Sequence, residues 1–430
     1  MPFELIPPHR RKIAVIGAGV SGLGAAHFLA DEHDVTLFEA EPRLGGHART
    51  IIAGKNGDQP VDTGFIVFNY ANYPELSALF DRLNVPVVKS NMSFGASING
   101  GRLEYGLENA GAFFAQKRNA MSPRFLGMLR DIFRFNARAL SAAGNRDQTI
   151  AELLERLGTG KWFRDFYLLP LTGAIWSTPK QKIMEFPAHA MLQFMENHAL
   201  LNYSGQHQWY TVAGGSVSYV TRLERALAAQ GVRLRPGTPI QAVQRGPSGA
   251  SVKASGAAWE DYDEVVFATH SDDTLRLLAD ADAQERADLG AIAYQPNDIV
   301  LHADQTIMPR RRAVWSSWNY TEGQGRREGQ IDLTYWMNRL QPIPQDDPHF
   351  VTLNSNRPIR EELIYDQVTL RHPVYDTAAL AAQGRIAARN GTRNTWFCGA
   401  WMGHGFHEDG LSSALQVART MTGARLPAAA

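Results

Sequence analysis

The sequence is poor in several things, and each shortage excludes something. Cys398 is the single cysteine in 430 residues, so no internal disulfide can form and a reducing compartment suits the chain. Formal net charge is zero, with 43 basic and 43 acidic residues, and no global field points to nucleic acid. No run reaches the roughly 18 uninterrupted apolar residues of a membrane span. The segment MPFELIPPHRRK carries Arg10-Arg11 but no apolar signal core before the first strand pattern, so a cytoplasmic protein is expected. No G-x-S-x-G elbow is present to support hydrolysis. No second glycine fingerprint follows a strand to suggest a nicotinamide domain. His404 and His407 lack further Cys or His residues at ligand spacing, so no metal is expected.

What is present begins at "IAVIGAGVSGLGAAHFLADEHDVTLFEAEPRLGGHART", Ile13 to Thr50. Ile13 to Ile16 read as a buried strand, and Ala25, Ala26, Phe28 and Leu29 recur at helical spacing, so the glycines sit where a strand turns into a helix. Gly17 allows the tight turn, Gly19 lets the backbone approach a pyrophosphate, and Gly22 permits close packing of helix on strand. The N–H groups opening the helix at Val20 and Ser21 attract the anion. Val35, Leu37 and Phe38 form a second strand that delivers Glu39 and Ala40, where a carboxylate can accept from ribose hydroxyls.

The continuation Glu39-Ala40-Glu41-Pro42-Arg43-Leu44-Gly45-Gly46 resembles the flavin-containing amine oxidase and phytoene desaturase superfamily. The resemblance implies non-covalently bound FAD, with Arg43, Gly45 and Gly46 against it. Relatives continue with an arginine where this chain has His47, with Arg49 two residues on, so either can serve the cofactor. "VDTGFIVFN" matches a crossing close to the flavin, with Thr63, Gly64 and Phe65. The unit from Gly214 to Thr269 flanks the adenine through Ile240, and "NTWFCGAWMGHGFHEDGLSSALQVARTM" closes the pattern with Gly399, Asp409, Gly410 and Leu411. A helix starting near Asp409 would present its positive end to the flavin. The implied fold is α/β: a discontinuous Rossmann-like FAD-binding domain of the glutathione-reductase type (1–70, 206–280 and 391–425). A mixed α+β substrate domain is inserted in it (71–205 and 281–390, with a helical insert over 107–200). Cys398 lies in a strand, away from any covalent link to flavin.

Both inserts are rich in aromatic residues, and their density predicts an apolar slot above the flavin, with Trp176, Trp315, Trp318, Tyr335 and Trp401 on its walls. Between Pro123 and Leu140 the pattern predicts a helix with Arg130, Arg134 and Arg138 on one stripe. Together with Lys117, Arg118 and Arg124 it gives residues 117–138 the character of a surface for anionic lipid, or of an ordinary solvated face. Dehydrogenation of a carbon–carbon bond needs a base beside the flavin. His407, Glu408, His404 and His47 are the candidates, and each can instead hydrogen-bond the flavin or cap a helix.

"GGHART", "VDTGFIVFN" and "GHGFHEDGLSSA" resemble a bacterial subgroup associated with cyclopropane-fatty-acid-synthase-like methyltransferases. That likeness implies an FAD-dependent oxidoreductase that desaturates an unsaturated or methyl-branched fatty-acyl chain of a phospholipid, working in the cytoplasm or peripherally at the membrane's inner face. An amine oxidase, an FAD-dependent isomerase of a polyene or acyl chain, and a flavoprotein whose FAD is structural are the alternatives.

Overall fold

The computed structural model describes residues 10–144, 148–176, 183–201, 206–323 and 332–423. Five short strands from distant parts of the chain form one parallel sheet in the order Thr395–Phe397, Glu264–Phe267, Lys12–Ile16, Asp34–Phe38, Arg233–Arg235. Ile13 lies between Glu264 and Val35 across the ladder. The central strands read as unbroken apolar segments because both faces are covered: Ile13, Ala14, Val15 and Val265 are wholly buried.

Helix Val20–Leu29 packs on this sheet with the C-terminal helix His407–Thr422. Two glycines make the approach possible. A Cβ on Gly24 would stand 2.5 Å from Leu411 Cδ1, and one on Gly410 would stand 2.7 Å from Ser21 Oγ. Leu411, Leu415 and Val417, expected as an apolar stripe, are buried there.

A seven-stranded sheet forms the second layer, in the order Ile364–Val374, Ala293–His302, Phe350–Leu353, Asp332–Trp336, Trp318–Thr321, Phe94–Ile98, Leu103–Gly106. It is antiparallel except where Trp318–Thr321 meets Phe94–Ile98. Helix Pro123–Ala142 buries Phe125, Met128, Ile132 and Phe135 in the same core as Ala96, Ile98 and Tyr105 of that sheet. The helix runs two residues beyond its expected end. Ser122 caps it, accepting from Phe125 N at 3.4 Å, with Pro123 in the first turn.

Asp62 fastens the hairpin Thr50–Ala53/Gln59–Asp62 to the segment at Ser216 and to the second insert at Gln341. It accepts from Ser216 N (2.8 Å), Ser216 Oγ (2.7 Å), Thr50 Oγ1 (2.6 Å) and Gln341 Nε2 (2.9 Å). Burial outweighs these donors and pushes the carboxyl up to about 6. Among the described residues no helix is long and apolar enough to cross a membrane.

Candidate active site

Gly17 has φ +97°, and a Cβ on Gly22 would fall 1.7 Å from Gly17 O. Strand, turn and helix therefore close as tightly as the spacing predicts. A Cβ on Gly19 would meet nothing within 4 Å. It would project into a cavity lined by Gly17, Gly19, Val20 and Ser21. Glu39 stands at the end of the neighbouring strand, where one carboxylate oxygen accepts from Ala18 N (2.7 Å) and the other from Glu41 N (2.9 Å). Lone pairs remain on both oxygens for further donors.

The second glycine pair leans on the first turn. Gly45 N donates to Ala18 O at 2.8 Å, and Gly46 (φ +55°) comes so close that its Cβ would lie 3.0 Å from Gly19 Cα. Arg43 does not reach the cavity as expected. Its guanidinium donates to Gly46 O (2.9 Å) and Ala48 O (3.3 Å) and pairs with Glu41 (3.0 Å), so it braces the loop from behind. Arg49 is likewise committed elsewhere, donating to both oxygens of Asp366 (2.6 and 3.0 Å) and to Thr63 Oγ1 (3.0 Å). Of the two residues left open after Gly46, His47 is on the cavity wall and Arg49 is not. Gly22, Gly45, Asp409, Gly410 and Leu411 also stand behind the wall and shape it by close packing.

The cavity has a volume of about 1650 Å³, beyond the about 300–1,000 Å³ of a site for one ligand, and its two halves differ. One is lined by the glycine turns, Glu39, Ala40, Thr238 and Ile240, with Thr63, Gly64, Phe65 and Gly399 further in. The other is apolar, walled by Phe113, Phe114, Leu129, Ile132, Leu171, Trp318 and Tyr335. Trp401 lies on the wall, its Nε1 donating to Thr269 O at 2.9 Å. Trp315 does not: it packs with Met308, Trp336 and Phe350 in a separate cluster, its Nε1 donating to Pro309 O at 2.7 Å. Trp176 ends a helix, but its side chain is outside the described residues.

Apart from Glu39, the charged side chains on the wall are paired within the protein. Arg371 pairs with Asp272 and Asp273 (2.5 Å each), Arg276 also pairs with Asp273, and Arg339 grips Glu108 at 2.9 and 2.6 Å. Imidazoles supply the polarity instead. His47 has its ring centre 5.9 Å from that of His270 and 5.5 Å from that of His372. Burial, then the neighbouring His47, pushes His270 and His372 down to about 3. Asn297 Nδ2 donates to His372 Nδ1 at 2.9 Å, which requires the neutral ring. His47 is lowered by its own burial, and its Nε2 has no hydrogen-bond partner among the described residues.

His407 stacks on Phe65 (3.9 Å, 17°) and meets Tyr219 Oη at 3.1 Å; burial pushes it down to about 3. Such a ring stays neutral and is a weak base. Glu408 is not a base candidate in this geometry. Its two oxygens accept from Glu75 N (2.9 Å) and Leu76 N (3.0 Å) and cap helix Pro74–Arg82. Asp409 folds back on its own helix, accepting from Phe406 N at 2.8 Å. His404 remains on the wall, edge-on to Phe194 at 6.4 Å. Phe194 also stacks on Phe406 and His198. The histidines at 198, 270 and 372 escaped the sequence reading, since single histidines scattered over the chain carry no spacing signal.

Residues 20–289 match the family described as flavin containing amine oxidoreductase. An L-glutamate oxidase precursor of Streptomyces diastatochromogenes is 44% identical over 80 residues, 18% of this chain and 11% of that protein. The match to this curated relative thus spans about a tenth of its length. A solved structure of a CLA-producing fatty acid isomerase from P. acnes superposes with a TM-score of 0.67 at 17% identity, over 95% of this chain and 98% of that one. Wild-type putrescine oxidase bound to putrescine gives 0.68 at 15% identity, over 97% and 100%. At these identities the likeness to solved structures is one of fold.

Proposed function

Because the chain belongs to the family of flavin-containing amine oxidoreductases and is an FAD-dependent oxidoreductase, we propose that it dehydrogenates an uncharged, apolar substrate. The favoured substrate is an unsaturated or methyl-branched fatty-acyl chain of a phospholipid. The observation that carries this reading is the apolar half of the cavity, where every charged side chain on the wall is already paired within the protein. A cationic amine or a free carboxylate would find no counter-ion there, whereas an acyl chain asks for none. The fold is one that a fatty acid isomerase also uses.

The residues on the wall suit an extended FAD. The open side of Gly19 and the paired glycine turns would take the pyrophosphate, Glu39 the adenosine ribose, and the unpartnered Nε2 of His47 a polar atom further in. Bound FAD supplies a two-electron acceptor for the hydride lost from one carbon. The chain's own residues do the rest. Phe113, Leu129, Ile132 and Tyr335 hold the alkyl chain and exclude water. His404, on the cavity wall, accepts the proton from the adjacent carbon.

The deciding experiment mixes the purified yellow protein anaerobically with bacterial phospholipids, plain and methylated, and with a panel of amines. Flavin absorbance near about 450 nm and lipid mass are followed. Bleaching with a two-hydrogen loss from a lipid supports the proposal. Bleaching by amines alone overturns it, and a double-bond shift at constant mass replaces dehydrogenation with isomerisation.

A further inference from the structure

Helix Pro123–Ala142 has more faces than a packed helix needs. Its core face is Phe125, Met128, Phe135 and Ala139. Leu129, Ile132, Phe133 and Asn136 line the cavity. Beyond them, outside the core, Leu126, Phe133 and Leu140 recur every seventh residue and are 42%, 50% and 43% exposed, and Met121 just before the helix is 82% exposed. Seven residues are nearly two full turns, so these side chains stand in one row.

Cations occupy the rest of the exposed arc, on one side of that row, from Arg130 next to it round to Arg138 and Arg124. Arg124, Arg130 and Arg138 are exposed on the helix, and Lys117 and Arg118 on the turn before it. Lys117, Arg124 and Arg138 have no carboxylate partner among the described residues. Asp131, the only acid of the helix, is buried; it pairs with Arg130 at 3.0 Å, whose side chain stays largely exposed, and accepts from Gly160 N at 2.8 Å. Arg134 is occupied by Gly158 O at 2.8 Å. The neighbouring helix Ile150–Leu157 carries the exposed acids Glu152 and Glu155. Solvent alone does not account for an apolar row beside an arc of cations in which Arg124 and Arg138 have no carboxylate partner among the described residues, because leucine and methionine gain nothing from standing in water.

We propose that this helix docks the protein on an anionic phospholipid bilayer, with Met121, Leu126 and Leu140 entering the acyl boundary and Arg124, Arg130 and Arg138 meeting headgroup phosphates. The same helix forms part of the cavity wall, so docking sets the apolar half of the cavity beside the lipid that feeds it. That last step rests on the lipid reading of the substrate; docking itself does not.

The test is flotation of the FAD-loaded protein with vesicles of fully saturated phosphatidylcholine, with and without saturated phosphatidylglycerol, lipids that offer no double bond or branch. Binding is expected only with the anionic lipid and should weaken as salt rises from about 0.1 to 1 M, where the screening length falls from about 10 to 3 Å. Replacing the three cations together (Arg124→Gln, Arg130→Gln, Arg138→Gln) should lower binding about a hundredfold. Leu126→Ser with Leu140→Ser should lower it about tenfold, with flavin spectrum and circular dichroism unchanged.

Absence of vesicle binding by the native protein overturns the proposal, as does equal binding by the cation-depleted variant or binding to soluble polyanions but not to vesicles. Vesicle binding without flavin reduction by any lipid leaves docking standing and refutes the substrate. Oxidation of detergent-dispersed lipid without vesicle binding does the reverse.

Discussion

Glu408 offers the sharpest test, because two roles for it predict opposite results. Helix Pro74–Arg82 begins after Tyr73 with no side-chain cap of its own, and Pro74 has no N–H to satisfy. The first two amide donors, those of Glu75 and Leu76, are taken by the two oxygens of Glu408. Glu408→Ala leaves both without a partner and should cost about 2–4 kcal/mol, the sum of two half-buried orphaned donors and a lost cap.

Glu408→Gln keeps one carbonyl oxygen for them and should stay within about 1 kcal/mol of the native protein, since burial already disfavours the charged form. That burial raises the carboxyl above its ordinary value near 4.5. The folded state therefore holds a proton that the unfolded chain has released. The stability contributed by this group is greatest at acid pH and is lost as pH rises from the ordinary value through the raised one, and Glu408→Gln removes that slope. Urea midpoints between pH 4 and 8 and anaerobic flavin reduction provide the two readouts. A general base would lose about 10²–10⁴ in rate on conversion to glutamine. Slowing of that size in Glu408→Gln, with unchanged stability, would refute the capping role.

Three further outcomes are expected. His404→Ala should slow flavin reduction by lipid about 10²–10⁴-fold while the yellow colour and melting temperature are kept; an unchanged rate moves the proton acceptor elsewhere. Asp62 has its carboxyl pushed up to about 6 by burial, so its contribution to stability falls as pH rises from about 4 to 6; Asp62→Asn should flatten that part of a denaturation profile. The thiol of Cys398 is buried and pushed up to about 12, so maleimide should label it only in denaturant, and acid precipitation should leave all FAD in the supernatant.

The glycine turn and the strands of the parallel sheet were legible because their causes are local. An unbroken apolar run is a strand buried on both faces, and glycines at 17, 19 and 22 are required by a turn whose backbone atoms leave no room for a Cβ. The basic helix was legible for the same reason, since its cap and periodicity lie within the segment itself. Arg43 and Trp315, expected at the cavity, stand off its wall, while Arg49 and Glu408, whose roles the sequence leaves open, are held by Asp366 and by a helix start. Each is a polar or aromatic residue in a plausible place, and what it does depends on a partner that local pattern does not reveal.

Those partners are often remote. The amide held by Glu408 is 333 residues away in the chain, and the carboxylate that takes Arg49 is 317 away. His47, His270 and His372 become one neutral cluster only because three different chain segments converge on the cavity wall. The pairing of Arg371 with Asp272 and Asp273, which cancels those charges on the cavity wall, arises in the same way. By itself the sequence determined the α/β class and the flavin family, since backbone sterics and hydrophobic period act over a few residues. Tertiary structure decided which polar groups remain available for chemistry, because hydrogen bonds and ion pairs are claimed by whatever the fold brings within about 3 Å.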